Sequence, residues 1–213
     1  MKKIVITQRI SVNKYNSIVD TIEHDWIELL ESLNFNTFLV SNKINKIYDW
    51  LNYVEPDGII FTGGDDIVPM NDKHNHKILR DRLEERILKW LMTNKSIPLL
   101  GVCRGMQVIN NFLNGHIIRV EGHTQPHKIT FCENLFFKAK TKMVNSFHNN
   151  GISHKSIGDN LTPFALSDDG NIEGFGHNNL KWQGIMWHPE RKVFQDNMDR
   201  DFLETMFVNC SLK

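Results

Sequence analysis

Ile97-Pro98-Leu99-Leu100-Gly101-Val102-Cys103-Arg104-Gly105-Met106-Gln107 decides how the rest of the chain is read. A short apolar run ends in Gly-x-Cys-x-Gly, and a helix-compatible segment, Met106 to Leu113, follows at once. This is the thiol form of a nucleophile elbow, in which a strand turns sharply into a helix. The apex residue of such a turn sits in strained backbone geometry, so glycine on either side lets the chain pass close to itself. The helix that begins after Cys103 directs free N–H groups and its positive dipole end toward the sulfur, and both favour thiolate over thiol. Most free cysteines are simply buried packing residues. The flanking glycines and the strand-to-helix switch set Cys103 apart from them.

Upstream of the elbow, strands and helices alternate. Lys3 to Thr7 reads as a buried strand, and Ile18, Ile22, Trp26, Leu29, Leu30 and Leu33 then recur at helical spacing. Phe35 to Val40 is the next strand, followed by a short helix around Ile44 to Val54 and a third strand, Gly58 to Phe61. That strand opens into Thr62-Gly63-Gly64-Asp65-Asp66, where backbone N–H groups can point outward without side-chain obstruction. His76 to Thr93 is a second amphipathic helix, with Leu79, Leu83, Ile87 and Leu91 inward; Arg80, Asp81, Glu84, Glu85 and Lys89 read as its solvated face. The alternation predicts an α/β fold with an open, mostly parallel sheet flanked by helices. Ligands of such sheets sit beyond the carboxyl ends of the strands, so Gly63-Gly64 and Cys103 are expected to share one cleft.

After Gly115 the chain becomes strand-rich. His127 to Phe131, Leu161 to Leu166, Ile172 to Gly176 and Trp182 to Trp187 read as strands, with Asp168-Asp169-Gly170-Asn171 as a hairpin turn and a final helix over Asp199 to Val208. No repeat, low-complexity stretch or linker divides the chain, so residues 1–213 are expected to form a single domain.

A nucleophilic thiol needs a base, and the base needs an orienter. Trp187-His188-Pro189-Glu190 ends the last expected strand. In extended chain residues i and i+2 face one side, so Glu190 can bond one imidazole nitrogen of His188 while the other faces Cys103. Ten histidines make His-x-Glu weak by itself; the elbow, which requires such a partner, gives it weight. Glu173 is the next carboxylate in line for the orienting role. His123-x-x-x-His127 has the look of a metal pair, but no neighbouring carboxylate or cysteine completes a ligand set, so no metal and no cofactor are expected. Cys132 and Cys210 have no elbow around them and are expected to be inert.

Twenty-five basic and twenty-five acidic residues give a formal net charge of zero, so nothing draws the chain toward nucleic acid or an anionic membrane. Three widely spaced cysteines form neither a disulfide framework nor a zinc pattern, as suits a reducing compartment. The first apolar run is too short for a signal peptide and none approaches membrane-spanning length. A cytoplasmic location is the expectation.

Gly63-Gly64-Asp65, Gly101-Val102-Cys103-Arg104-Gly105-Met106-Gln107, Asn145-Ser146-Phe147-His148 and His188-Pro189-Glu190, in this order, resemble the class I glutamine amidotransferases. They are most similar to the stand-alone γ-glutamyl hydrolase branch, peptidase family C26. The resemblance spans nearly the whole chain. It implies the amidotransferase-like, flavodoxin-like sheet and a Cys103 nucleophile, His188 acid/base and Glu190 orienter. It implies an oxyanion hole from backbone N–H groups of Gly64 (or Gly63) and Arg104, and substrate contacts at Gln107, His148, Asn149 and Asn150. Two departures stand out: Asn149-Asn150 replace the usual His-Gln, and Val68-Pro69-Met70 replaces a longer segment. Both leave the leaving-group preference unassigned. The implied activity is hydrolysis of a γ-glutamyl amide of a small molecule through a glutamyl thioester. A glutaminase that serves a separate synthetase partner is a second reading, disfavoured because no synthetase domain is fused. A non-catalytic binding module is a third, against which the intact triad argues.

Overall fold

The computed structural model describes residues 1–67, 76–191 and 197–209. Strand β1 (Lys2–Thr7) runs through the middle of the core, and its Ile4, Val5 and Ile6 are fully buried, as a strand covered on both faces requires. The helix expected from Ile18 begins later. Instead β2 (Arg9–Val12) and β3 (Ile18–Thr21) form a separate hairpin. Asn13 Oδ1 accepts the backbone N–H groups of Tyr15 and Ser17 at 2.9 and 3.0 Å, and Asn16 takes a φ of 59°, a conformation asparagine tolerates. This turn outcompetes the helical pattern and leaves Ile18 exposed, so α1 spans only His24–Ser32.

From there the expected alternation holds: β4 (Phe35–Val40), α2 (Ile47–Val54), β5 (Gly58–Phe61), α3 (Ile78–Thr93), β6 (Leu99–Val102) and α4 (Arg104–Phe112). The strand-rich half contributes β7 (Ile118–Arg119), β8 (His127–Phe131), β9 (Lys140–Val144), β10 (Asn150–Gly151), β11 (Leu161–Ser167), β12 (Ile172–His177) and β13 (Trp182–Ile185). The last helix, α5 (Met198–Glu204), passes into a π-helical turn at Thr205–Asn209.

Nine strands make the main sheet in the order β4-β1-β5-β6-β13-β12-β11-β8-β9. From β4 to β13 neighbours run parallel; from β13 to β9 they run antiparallel. β13 joins the two halves, pairing Ile185 with Val102 of β6 and with Gly174 of β12. The carboxyl ends of β5, β6 and β13 therefore lie side by side. No helix among the described residues is long and apolar enough to cross a membrane.

One face of α3 departs from its expected exposure. Lys89 is in solvent, but Arg80, Asp81 and Glu84 are buried, with Glu84 at 0% exposure. Isolated charges would not survive there. These persist because each is met by a partner from another element, Arg104 of α4 foremost.

Candidate active site

Cys103 stands at the end of β6 with φ 51° and ψ −103°, a strained conformation for a residue with a side chain. Its N–H donates to the Ile185 carbonyl at 2.8 Å, which pins the apex to β13. The two flanking glycines are needed for space. A Cβ on Gly101 would stand 2.6 Å from the Gly105 carbonyl, and one on Gly105 would collide with the Phe61 carbonyl oxygen. The elbow thus packs backbone on backbone where β5, β6 and α4 meet.

Beyond β13 the chain brings His188 and Glu190 to the same place. His188 Nδ1 lies 2.6 Å from Glu190 Oε1, and both side chains are buried. Burial disfavours the imidazolium, but hydrogen bonds to the Cys103 thiol and to Glu190, with the charges of both, outweigh it and push His188 up to about 9. The sequence-predicted nucleophile, acid/base and orienter are thus in one line. Asn145 fixes the ring from behind: its Nδ2 donates to the His188 carbonyl at 2.9 Å and its Oδ1 accepts the His188 N–H at 2.8 Å. The sequence motif around Asn145 gives this residue no role by itself. Only the fold, which brings the segment after β9 against the segment after β13, provides one.

The Gly63-Gly64 loop lies over the same ring. A Cβ on Gly63 would be 2.5 Å from His188 Cε1, and Gly64 has φ 134°, in the range that favours glycine. Arg80, expected in solvent, anchors this loop: Nη1 donates to the Gly63 carbonyl at 3.0 Å and Nη2 to the Thr62 carbonyl at 2.6 Å. In a trans peptide the C=O and N–H point in opposite directions. Holding the Gly63 carbonyl on the α3 side therefore turns the Gly64 N–H the other way. The Arg104 N–H, first of α4, has no acceptor within its own helix. The Arg104 guanidinium pairs with Asp81 and Glu84, while Glu84 also accepts from Arg80 at 3.0 Å and from Thr7 Oγ1 at 2.8 Å. Burial and the nearby Arg104 lower Arg80 to about 10, so it stays charged at neutral pH. Burial would raise the Glu84 carboxyl, but Arg104 and Arg80 hold it below its ordinary value. One buried charge network thus ties both candidate oxyanion donors together.

The expected substrate contacts separate. Gln107 Nε2 donates to the Asn150 carbonyl at 3.0 Å, and Asn150 Nδ2 reaches Asp66 at 2.7 Å beside the glycine loop. Asn149 is exposed, its carbonyl accepting the Val120 N–H at 2.9 Å. His148 is buried and turned away, its Nε2 3.7 Å from Glu173. Glu173 itself is engaged with His123, His127 and His148, so its carboxylate is not placed as a substitute orienter. A carboxylate does approach both His123 and His127, because β12 delivers Glu173 from far along the chain, but the ligand atoms that come together are those of His123, His148 and Glu173.

Sequence reasoning also missed the mouth. Phe147 is 48% exposed and meets the His188 ring edge-on at 5.6 Å. The Arg191 guanidinium lies 4.4 Å above Phe147, and Arg191 and Arg9 share Glu23 Oε1 at 3.1 and 2.6 Å. Arg9 also flanks the glycine loop, since a Cβ on Gly64 would sit 3.0 Å from Arg9 Cγ. Cys132 is exposed and free; Cys210 and the departure at Val68-Pro69-Met70 lie outside the described residues.

Comparison with known proteins agrees with this geometry. The chain is 33% identical over 197 residues to the γ-glutamyl-CDP-amidate hydrolase of Campylobacter jejuni subsp. jejuni, covering 91% of this chain and 92% of that protein. It is 27% identical over 189 residues to the glutamine-hydrolyzing GMP synthase of Halothermothrix orenii, covering 84% of this chain and 33% of that protein. A solved glutamine amidotransferase from Thermotoga maritima superposes with a TM-score of 0.72 at 14% identity, over 97% of this chain and 98% of that one, and so shares the fold. The Peptidase C26 family model matches residues 18–190. With that match, an elbow cysteine on β6 and a histidine–glutamate pair after β13, the chain belongs to the peptidase C26 family.

Proposed function

We propose that this chain is a cysteine hydrolase that cleaves the γ-glutamyl amide bond of a small conjugate and releases L-glutamate. The observation that carries the reading is the strained backbone of Cys103 at the end of β6, with His188, held by Glu190 at 2.6 Å, in its electrostatic reach. In this reading the Cys103 thiolate attacks the γ-carbonyl carbon and a C–S bond forms. The N–H groups of Gly64 (or Gly63) and Arg104 hold the resulting oxyanion. The C–N bond then breaks as His188 gives its proton to the departing nitrogen. Water attacks the glutamyl thioester, His188 takes the proton, and the thiolate returns as glutamate leaves. Gln107 and the Asn149-Asn150 turn border the glutamyl end.

For the leaving group we favour a nucleotide phosphoramidate, as in a γ-glutamyl-CDP-amidate, and with it a place in capsule biosynthesis. Two observations support this. The relative that bears that substrate in its name aligns over 91% of the chain, and the mouth next to His188 combines an exposed aromatic ring with two arginines. Phe147 offers a stacking face for a base, and guanidinium groups suit phosphate oxygens. A second reading is suggested by the likeness to one third of a glutamine-hydrolyzing GMP synthase: a glutaminase that hands ammonia to a separate synthetase.

Steady-state kinetics on a panel decide between them: γ-glutamyl-CDP-amidate, γ-glutamyl-γ-aminobutyrate, their des-amino and α-amide analogues, and free glutamine. The nucleotide conjugate is expected to be cleaved best. The analogues lacking the α-amino or α-carboxylate group are expected to lose about 10⁴-fold or more, because they leave buried polar groups unpaired. A glutamine-like electrophile should label the peptide containing Cys103. Glutamine turnover that needs a second protein, with no cleavage of any conjugate by the lone chain, would overturn the hydrolase reading in favour of the ammonia-delivering one.

A further inference from the structure

Behind the substrate turn lies a cluster that the proposed reaction does not use. Glu173 Oε1, on β12, is approached by His123 Nδ1 at 3.1 Å, His127 Nε2 at 3.4 Å and His148 Nε2 at 3.7 Å. All four atoms are buried, and none makes a hydrogen bond of acceptable geometry. His123, His148 and Glu173 offer ligand atoms that all lie within 4.8 Å of one another.

The outer ring nitrogens explain why the inner ones are orphans. His123 Nε2 faces Asp169 Oδ2 at 3.0 Å, His148 Nδ1 faces the Asn150 carbonyl at 3.0 Å, and His127 Nδ1 faces the Gln125 carbonyl at 3.3 Å. Each outer partner is an acceptor, so each outer nitrogen carries the hydrogen. In neutral imidazole the inner nitrogen then bears a lone pair. With all three rings neutral, lone pairs and a carboxylate oxygen converge, which is unfavourable unless a positive charge, a cation or a proton on His123, sits among them. Ligands about 2.0–2.1 Å from a tetrahedral ion stand about 3.3 Å from one another, and Glu173 Oε1 lies 3.1 Å from His123 Nδ1 and 3.7 Å from His148 Nε2. Carboxylate or carbonyl groups on the outer nitrogens are also what orients histidines around a metal.

The geometry points to a divalent-cation site of two imidazole nitrogens and one carboxylate oxygen, a set that suits Zn²⁺, held by His123, His148 and Glu173. A surface pocket of about 190 Å³ bordered by Glu121, His123, His127 and Asp169 gives the ion a way in. Bound there, the cation joins the 123–127 segment, β12 and the turn after Asn145. The last of these carries Asn149 and Asn150 and, through Asn145, holds the backbone of His188. The ion thus stiffens the acyl side of the cleft without entering the chemistry.

The test is direct titration of the full chain with Zn²⁺ and with Co²⁺, in a Cys103→Ala background so that the elbow thiol does not compete. One Zn²⁺ per chain, a tetrahedral Co²⁺ absorption spectrum without thiolate bands, and a raised thermal midpoint are expected. Asp169→Asn, a change at a half-exposed side chain that the fold should tolerate, should weaken Zn²⁺ binding about 10–100-fold by removing the group that orients His123. His123→Ala should weaken it by at least about 100-fold, since a ligand is lost outright. Zn²⁺ uptake that neither substitution alters, or no uptake and no thermal shift, would overturn the site; the cluster would then be held by a proton on His123.

Discussion

Glu190→Gln isolates what the carboxylate does for His188, because it removes the charge and keeps the shape and an acceptor for Nδ1–H. His188 is held at about 9 against an ordinary 6.5, and its causes include the Cys103 thiol as well as Glu190. That rise corresponds to about 3 kcal/mol in favour of the imidazolium. A buried hydrogen bond to a charged group contributes about 1.5–3 kcal/mol, or about one to two pK units. The basic limb of kcat/KM, where His188 loses the proton it must give the leaving nitrogen, should therefore move from near pH 9 to about pH 7–8. The substituted amide can also turn and offer its NH₂, so kcat should fall about 10–10³-fold, less than for His188→Ala. Stability follows the same sign. A raised histidine contributes fully below its ordinary pKa and loses that contribution as pH rises through about 9, so the wild-type thermal midpoint should decline over this window and the variant's should be flatter. A pH profile from 5 to 10.5 with the best conjugate, beside thermal melts, reads both. An unmoved limb with unchanged kcat would refute the orienting role.

Arg80→Met removes the donor to the Thr62 and Gly63 carbonyls and leaves Glu84 with Arg104 and the Thr7 hydroxyl. Stability should drop by about 3–5 kcal/mol, and kcat should fall about 10²-fold or more with KM little changed; if KM takes the whole effect, Arg80 does not position the oxyanion loop. Gly105→Ala should leave little folded protein in a denaturation series, whereas Gly122→Ala, which meets nothing within 4 Å at a φ of 80°, should cost only about 1–2 kcal/mol of backbone strain.

The parts of the fold and site that could be read in advance are those encoded locally. Gly101, Cys103 and Gly105 constrain one another within a single turn, and His188 and Glu190 are two residues apart in extended chain, so spacing sufficed. What escaped depends on elements meeting across the chain. Ile18 and Ile22 fit a helical period, but the Asn13–Asn16 turn closes a hairpin before the helix can start. Arg80 and Glu84 look like surface residues until Arg104 and the Thr62 and Gly63 carbonyls surround them. His123 and His127 lacked a carboxylate nearby in sequence because Glu173 arrives on β12, from far along the chain and across β11 from β8.

The position of β13 also sets the order in which the molecule can become competent. It follows every other strand in the chain, yet it sits in the middle of the sheet, between β6 and β12. Until it inserts, the parallel and antiparallel halves are two separate assemblies, each showing an unpaired edge that invites aggregation. Cys103 meanwhile lacks both the Ile185 carbonyl that fixes its backbone and the histidine proposed to activate it. The emerging chain thus carries an unarmed thiol through synthesis, and its assembly waits on a long-range pairing of the slow-forming kind. Insertion of a single strand closes the sheet and, in the proposed reaction, completes the active site in the same event.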